Sequence, residues 1–299
     1  MKDLLGKDIP DGPVGESWEV SPHPSGLSRV AGGPLEGRTL PELAARFGAR
    51  LLGEDAYAKY GGVFPLLVKL IDVNALASVQ VHPGDRQARE LEGFPFGKAE
   101  AWYILDLQPT AVFYLGFRSG VDEKALLEAI AEGRVKDLLN PLSAERGDCI
   151  YVPPGTVHAC GNGVFLLEVQ QCCDLTYRVY DWDRVDEAGK RRLLHLEKAR
   201  AVIDYGARPA VHRAAVRPNR LNEVFACPYF SIQELPVEGE FRFPPGRVCR
   251  AGTVVRGRGA LLWEDGGIDL ETGDSFVVPA EVEGAMVRGK CAILSTALG

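Results

Sequence analysis

The sequence lacks a cysteine framework and a long apolar run, and each absence excludes a class of protein. Its seven cysteines are an odd number without a CxxC pair, and the adjacent Cys172 and Cys173 have a poor geometry for a structural bridge. We therefore expect free, mostly buried thiols in a reducing cytoplasm, and no cysteine-ligated zinc. The N-terminus shows no signal peptide, and no stretch approaches the ~18 apolar residues of a membrane span.

Positive charge is also in short supply. The 299 residues include 34 Lys and Arg against 41 Asp and Glu, for a net charge of −7. This balance argues against nucleic acid or an anionic membrane as the main partner. A small phosphorylated metabolite can still bind through a local basic pocket. The sequence gives no indication of the oligomeric state.

Short apolar runs, by contrast, are abundant. The 34 glycines and 20 prolines divide the chain into many of them. Examples are "AWYILDL", "AVFYLGF", "DCIYVPP", "GVFLLEVQ", "TYRVYDW", "FSIQEL", "TVVRG", "ALLWED" and "DSFVVPA". This spacing predicts an all-β sandwich or barrel rather than βαβ units.

Two segments interrupt the β pattern with helical spacing. In "TLPELAARFGARLL", Thr39 and Glu42 form a capping-box pattern ahead of an apolar face. In "VDEKALLEAIAEGRVKDLL", Asp122 is a suitable N-cap, and Gly133 is expected to divide the segment into two short helices.

A short repeat relates the middle of the chain to its end. "ERGDCIYVPPGTVHA" and "ETGDSFVVPAEVEGA" share G-D-x-x-x-V-P, with glycines at 147 and 273 and hence 126 residues apart (273 − 147). Each copy places a turn before a strand and a proline at its end. Such a repeat is typical of two related β-barrel halves, as in a double cupin.

The repeat defines the predicted fold class and domains. We predict a mainly β double cupin with a few inserted α-helices. Residues 1–203 are expected to form a metal-binding catalytic half, and residues 204–299 a C-terminal cupin-like half without a metal site. Only the first copy of the repeat continues to a histidine, His158.

Two imidazoles, a carboxylate and an amide are expected to converge in the first half. Gln80 and His82 share one face of the strand in "ALASVQVHPGD", Glu100 heads another strand, and His158 follows a Pro-Gly turn. Such ligands suit one zinc or similar divalent ion, and they leave the site with a net positive charge. The alternative is a set of hydrogen-bonded polar residues around a barrel mouth.

Four ordered blocks resemble a known family. They read "SVQVHP", "GKAEAWYIL", "GDCIYVPPGTVHA" and "LLEVQQCCDLTYRVYD". They resemble the signature blocks of type I phosphomannose isomerases in their short bacterial form, and "GESWEVSPHPSG" is similar to the N-terminal block of that family. The resemblance covers about residues 1–200 and is thin beyond them. It departs at Cys172-Cys173, where small hydroxyl residues are expected.

The resemblance implies a role for each matching position. It implies zinc ligands at Gln80, His82, Glu100 and His158. Ser78, Lys98 and Arg178 are then expected to bind a small phosphorylated sugar, with Ser78 at its phosphate. Arg178, Lys98 and Glu168 are expected to be catalytic.

The activity implied is an aldose–ketose isomerase. It interconverts mannose 6-phosphate and fructose 6-phosphate through a zinc-stabilised cis-enediol, and either Lys98 or Glu168 moves the proton. Arg178 suits the phosphate or the enediolate charge. Two alternatives are a non-catalytic sugar-binding or regulatory cupin homologue and a metal-dependent bicupin dioxygenase. The dioxygenase is less favoured, because such sites usually gather several histidines.

Overall fold

The computed structural model describes residues 5–7, 14–186 and 188–299. The chain divides into two compact units, one of Met1–Leu70 with His212–Gly299 and the other of Ile71–Val211. Compactness thus groups the first seventy residues with the C-terminal segment, whereas the predicted first domain keeps them with residues up to 203. This grouping does not test a division into two cupin halves, which stays a prediction.

Strands outweigh helices in the described residues, as predicted for a mainly β fold. The strands are β1 (Glu16–Val20), β2 (Leu66–Val73), β3 (Val79–Val81), β4 (Glu100–Leu107), β5 (Val112–Phe117), β6 (Leu139–Leu142), β7 (Cys149–Val152), β8 (His158–Gly161), β9 (Val164–Gln171), β10 (Tyr177–Tyr180), β11 (Val211–His212), β12 (Asn222–Ala226), β13 (Phe230–Arg242), β14 (Arg250–Trp263), β15 (Gly266–Glu271), β16 (Ser275–Val278) and β17 (Met286–Leu298). The helices are α1 (Leu40–Phe47), α2 (Ala49–Leu52), α3 (Glu54–Tyr60), α4 (Asp85–Glu92), α5 (Glu123–Ala131), α6 (Val135–Leu138) and α7 (Leu196–Val202). None of these helices combines the length and the apolar character that crossing a membrane needs.

Both predicted helical segments are confirmed, together with their caps. Thr39 and Glu42 form the capping box of α1: Glu42 Oε2 accepts from the Thr39 amide at 2.8 Å, and the Glu42 amide donates to Thr39 Oγ1 at 3.4 Å. The Asp122 carboxylate accepts from the amide of Ala125 at 2.9 Å and caps α5. Gly133 has a φ of +68° between α5 and α6, so it divides the segment as predicted.

Two antiparallel layers form the unit of residues 71–211. In one layer β9, β4 and β7 lie side by side, and in the other the order is β10, β3, β8, β5 and β6. The side chains of Val79, Val81, Tyr177 and Val179 enter a core that also contains Ala199 of α7. Because strand faces alternate, Gln80 and Arg178 lie on the opposite face of β3 and β10.

The other unit contains a six-stranded antiparallel sheet in its C-terminal segment. Its order is β12, β13, β17, β14 and β15, and β16 also pairs with β14. The runs "TVVRG" and "ALLWED", predicted as separate strands, belong to the single strand β14, which has an irregularity between Val254 and Arg256. A bulge lets one long strand bend without ending. The sequence suggested two strands because Gly257 stands between the two apolar runs.

The repeated G-D motif adopts the same turn in both units. The amide of Glu145 donates to the Asp148 carboxylate at 2.8 Å, and the amide of Glu271 donates to the Asp274 carboxylate at the same distance. The intervening glycines have φ values of +88° at 147 and +99° at 273. The sequence repeat is therefore also a structural repeat, with a strand following each turn.

Helices α3, α4 and α7 were not predicted. Helix α4 has the sequence DRQARELE, in which Ala88 is the buried residue, and its N-cap Gly84 offers no side chain. Without an apolar stripe or a capping side chain, neither periodicity nor cap chemistry marks this helix. The strand predicted in "ALASVQVHPGD" is also short, with only Val79–Val81 in ladder geometry.

Candidate metal and substrate site

The inward strand faces of the unit of residues 71–211 change from apolar to polar along their length. Strand β9 presents Val164 and Leu166 to an apolar cluster and then continues with Glu168 and Gln170 on the same face. Strand β8 shows the same change in the opposite chain direction: His158 lies at its polar end, and buried Cys160, on the same face, belongs to the apolar cluster. The apolar ends fill the space between the layers, and the polar ends define the candidate site.

Both predicted histidine ligands have one ring nitrogen fixed by the backbone. His82 Nδ1 lies 2.8 Å from the carbonyl oxygen of Leu175, and His158 Nδ1 lies 2.9 Å from that of Thr156. A carbonyl oxygen only accepts, so each Nδ1 donates and each Nε2 keeps its lone pair. Burial lowers the pKa of His158 below its usual value, and Glu100 offsets this only in part. These are the tautomer and the charge state in which an imidazole binds a metal.

The carboxylate of Glu100 faces the Nε2 atoms of both histidines. Its Oε2 lies 3.5 Å from His82 Nε2, and its Oε1 lies 3.3 Å from His158 Nε2. All three side chains are buried, and their candidate ligand atoms lie within 4.8 Å of one another. In the described part of the chain this is the one group of three or more His, Cys, Asp or Glu residues with such geometry. The donor set fits a divalent ion.

Gln80 completes the predicted ligand group. Its Cα pairs with that of His158 on β8 and with that of Arg178 on β10, so these three side chains share a face. Gln80 Nε2 lies 3.2 Å from His158 Nε2 and donates to it, since His158 Nδ1 carries the ring proton. A half-turn of the amide would place Oε1 at this position, where it could act as the predicted ligand.

Lys98 lies at the edge of the same group. Its ammonium is 2.9 Å from Glu100 Oε2 and 3.3 Å from His82 Nε2. Burial lowers the pKa of Lys98, but attraction by Glu100 and Glu168 outweighs burial and raises the pKa above its usual value. The structure therefore brings Lys98 together with two predicted metal ligands.

Glu168 lies on the neighbouring strand and is held by a tryptophan. Its Oε2 accepts from the indole Nε1 of Trp102 at 3.0 Å, and the two residues are directly opposed between β4 and β9. Trp102 also packs edge-on against the His158 ring, with 5.4 Å between centroids. Trp102 therefore contacts both the Glu168 carboxylate and the ring of His158, a predicted metal ligand, and its strand position alone did not reveal this role.

Arg178 and Ser78 both lie next to Gln80, Arg178 across the β3–β10 pair and Ser78 two residues before Gln80 in the sequence. Arg178 Nη1 donates to the Leu193 carbonyl at 2.9 Å, and its amide donates to His195 Nδ1 at 3.0 Å. Burial and the nearby Arg192 lower the pKa of the guanidinium. Ser78 is buried just before β3. Within the described ranges, Arg178 has neither a hydrogen bond nor an ion pair to His82, Glu100 or His158.

A buried glutamine holds the segment that carries Lys98 and Glu100. Gln171 Oε1 accepts from the amide of Ala99 at 3.0 Å, and Gln171 Nε2 donates to Asp85 Oδ1 at 2.9 Å. The same Asp85 oxygen accepts from the amide of Gly97 at 2.7 Å. Ala99 stands between Lys98 and Glu100, the two predicted site residues, so this bridge fixes the backbone of both. The sequence marked Gln171 only as part of the "LLEVQQ" block.

The departure at Cys172-Cys173 places two thiols directly after β9, where Cys173 lies within electrostatic reach of Lys98. Both side chains are buried. Burial raises the pKa of Cys172 to about 12 and that of Cys173 to about 11, so both thiols are protonated at neutral pH. All seven cysteines are free thiols in the structure, and six of them are buried, in agreement with the expected free and mostly buried thiols.

The fold and this buried cluster define a cupin protein with a candidate divalent-metal site. Residues 1–106 match the model of the type I phosphomannose isomerase catalytic domain, and residues 221–297 match that of the mannose-6-phosphate isomerase cupin domain. These matches lie in both predicted halves and confirm the cupin fold.

Relatives and solved structures agree with the family models over nearly the whole chain. The mannose-6-phosphate isomerase of Streptococcus mutans is 34% identical over 299 residues, covering 99% of this chain and 92% of that protein. The mannose-6-phosphate isomerase ManA of Bacillus subtilis is 35% identical, covering 92% and 86%. The crystal structure of the mannose 6-phosphate isomerase from Bacillus subtilis superposes with a TM-score of 0.87 at 34% identity, covering 99% and 93%. The chain belongs to the type I phosphomannose isomerase family, and the predicted family and enzyme class are confirmed.

Proposed function

We propose that this protein interconverts mannose 6-phosphate and fructose 6-phosphate. The observation that carries the proposal is the buried group of Glu100, His82 and His158, with Lys98 and Glu168 beside it, in a chain of this family. The ligands are Gln80, His82, Glu100 and His158, and the ion is zinc. When bound, zinc would supply a Lewis acid that stabilises the charge of a cis-enediol.

The remaining residues perform the proton transfers of the isomerisation. A base removes the proton from C2 of the open-chain aldose, the electron pair forms the C1–C2 double bond, and the aldehyde oxygen gains a proton. Protonation of C1 with loss of the proton from O2 then gives the ketose. Lys98 and Glu168 are the two candidates for the carbon-bound proton, because both side chains are buried beside the ligand group.

Arg178 and Ser78 bind the anionic part of the substrate. The guanidinium of Arg178 is a fixed fork of donors, opposite Gln80 in the sheet, and its Nε has no partner among the described residues. A phosphate or an enediolate oxygen would supply one. Ser78 precedes the ligand strand and offers a hydroxyl donor to the phosphate.

Turnover and metal content together test this proposal. The purified protein should convert mannose 6-phosphate to fructose 6-phosphate, and His82→Ala and His158→Ala should lose both metal and turnover. His212→Ala is the matched control, because His212 lies outside the cluster and packs against the Phe225 ring at 4.9 Å between centroids. Undiminished metal in the two ligand variants, or an inactive wild type with zinc bound, would refute the proposal.

Solvent isotope incorporation separates the two proton carriers. Lys98→Met and Glu168→Gln are each incubated with mannose 6-phosphate in deuterated water, and label at C1 and C2 is measured. The variant without the proton carrier should bind substrate and fail to exchange the carbon-bound proton. If both variants exchange at the wild-type rate, neither residue carries it.

A further inference from the structure

Gln170 lies directly beside the predicted metal carboxylate. Its Cα pairs with that of Glu100 between β9 and β4, two residue pairs along from the pair of Glu168 and Trp102. Directly opposed residues of antiparallel strands present their side chains on the same face, with Cβ atoms about 5 Å apart. Gln170 is fully buried, at 0% exposure. It therefore belongs to the polar end of the strand layer, although no role has been assigned to it above.

The amide of Gln170 has a fixed orientation. Its Nε2 donates to the carbonyl oxygens of Gln171, at 2.9 Å, and of Cys173. Exchanging the two ends of the amide would bring an oxygen against two carbonyl oxygens, which is unfavourable. The backbone at Cys173, rather than its thiol, thus defines where the Gln170 oxygen lies.

That oxygen has no hydrogen-bond partner within the described chain. Gln170 Oε1 is buried without a donor in reach. A buried carbonyl oxygen without a donor is costly, and buried polar groups of native proteins are nearly always paired. The adjacent acidic side chains, Glu100 and Glu168, offer acceptor oxygens when ionised, so they cannot supply the donor. A hydroxyl group entering the site can.

We propose that Gln170 Oε1 accepts a hydrogen bond from a hydroxyl group of the bound sugar phosphate. This inference rests on the proposed function. Gln170 lies beside Glu100 across the strand pair and two residues from Glu168 on the same face. A substrate bound between Glu100 and Glu168 would therefore lie next to Gln170. Gln170 thereby selects for the position of one hydroxyl group, because a site built to bind a hydroxyl rejects an analogue without it.

The neighbouring glutamine provides a matched control. Both ends of the Gln171 amide are partnered within the protein, by Ala99 and Asp85. Gln171→Met therefore disturbs the backbone that carries Lys98 and Glu100, and it should lower turnover of every substrate by the same factor. Gln170→Met removes the Nε2 hydrogen bonds to Gln171 and Cys173, which should affect every substrate equally, and also the Oε1 acceptor that is left for substrate.

The test compares mannose 6-phosphate with its 3-deoxy and 4-deoxy analogues, using the zinc-loaded wild type and both variants. For wild type, one analogue should lower kcat/KM by about tenfold or more. Gln170→Met should lose about tenfold on mannose 6-phosphate and show no further loss with that analogue. Gln171→Met should keep the wild-type ratio between the two substrates. Bound zinc, measured directly, should be equal in Gln170→Met and wild type.

Several results would overturn the inference. The inference would be wrong if Gln170→Met showed the same loss of kcat/KM with each deoxy analogue as wild type shows. It would also be wrong if Gln170→Met were as active as wild type on mannose 6-phosphate. If Gln170→Met does not fold, Gln170→Asn withdraws the oxygen by one methylene, and the same ratios apply. A wild type without any turnover would overturn the proposed function together with this inference, whereas an active wild type with unchanged ratios in Gln170→Met would overturn the inference alone.

Discussion

At the scale of the residue, the backbone determines which histidine nitrogen faces the site. The carbonyl oxygens of Leu175 and Thr156 each accept a hydrogen bond from the Nδ1 of one site histidine, and this turns both Nε2 atoms toward Glu100. The sequence predicted these ligands from residue types and strand alternation. It could not predict the carbonyl partners, because they depend on where a loop backbone passes.

Gln80 offers a direct test of charge at the site. In the proposed ligand set the neutral Gln80 leaves the metal site net positive, whereas Gln80→Glu adds a second carboxylate beside Glu100. We expect this variant to retain zinc and to turn over on the order of tenfold more slowly, because the ion becomes a weaker Lewis acid. Zinc content and kcat are the measurements. Gln108→Glu is the control, since it makes the same change at an exposed position; unchanged kcat in Gln80→Glu would contradict the explanation.

The cysteines make a second prediction at this scale. Six of the seven thiols are buried and Cys227 is partly exposed, and burial raises the pKa of Cys227 as well as those of Cys172 and Cys173. A thiol reagent at pH 8 should therefore modify Cys227 slowly and leave the other six intact until the protein unfolds. Mass spectrometry of the labelled native protein checks the sites. Rapid labelling at Cys172 or Cys173 would disprove the burial of that pair.

At the scale of the element, the two G-D turns have the same backbone conformation and hydrogen bond, but the atoms around their glycines differ. A Cβ at Gly147 would meet only the Tyr103 hydroxyl at 3.8 Å, whereas a Cβ at Gly273 would lie 2.7 Å from the carbonyl oxygen of Leu5. Both glycines have positive φ, so alanine is strained at either position.

These surroundings predict that alanine destabilises the protein more at Gly273 than at Gly147. Gly147→Ala should lower the free energy of unfolding by about 1–3 kcal/mol through backbone strain. Gly273→Ala should cost more, because its Cβ also collides with backbone. Urea denaturation of the two variants and wild type measures the difference. Equal losses would show that the collision is relieved by local movement.

The elements that sequence reasoning missed share a physical cause. Helix α4 has a buried Ala88 but no apolar stripe, and its Asp85 receives hydrogen bonds from Gly97 and Gln171. Tertiary contacts of this kind leave no period in the sequence. The capped helix α1, by contrast, was predicted from Thr39 and Glu42 because its signal is local.

At the scale of the whole molecule, the site could be predicted from short sequence motifs, whereas the grouping of segments into compact units could not. Strand alternation and four ordered motif blocks identified Gln80, His82, Glu100 and His158. The structure brings His82, Glu100 and His158 together in one buried group and places the partly buried Gln80 against His158. The grouping of the first seventy residues with the C-terminal segment depends on contacts between segments far apart in sequence, for which a single sequence carries no direct signal.

We propose that one ion, held by this group, is required for the isomerase activity. The most direct measurement removes metal with a chelator, adds zinc in steps, and follows bound zinc and conversion of mannose 6-phosphate in the same samples. Activity should be absent without metal and should rise in proportion to bound zinc until one ion per chain is bound. Full turnover by protein that contains no metal would contradict this proposal. So would the absence of turnover after one zinc ion per chain has been restored.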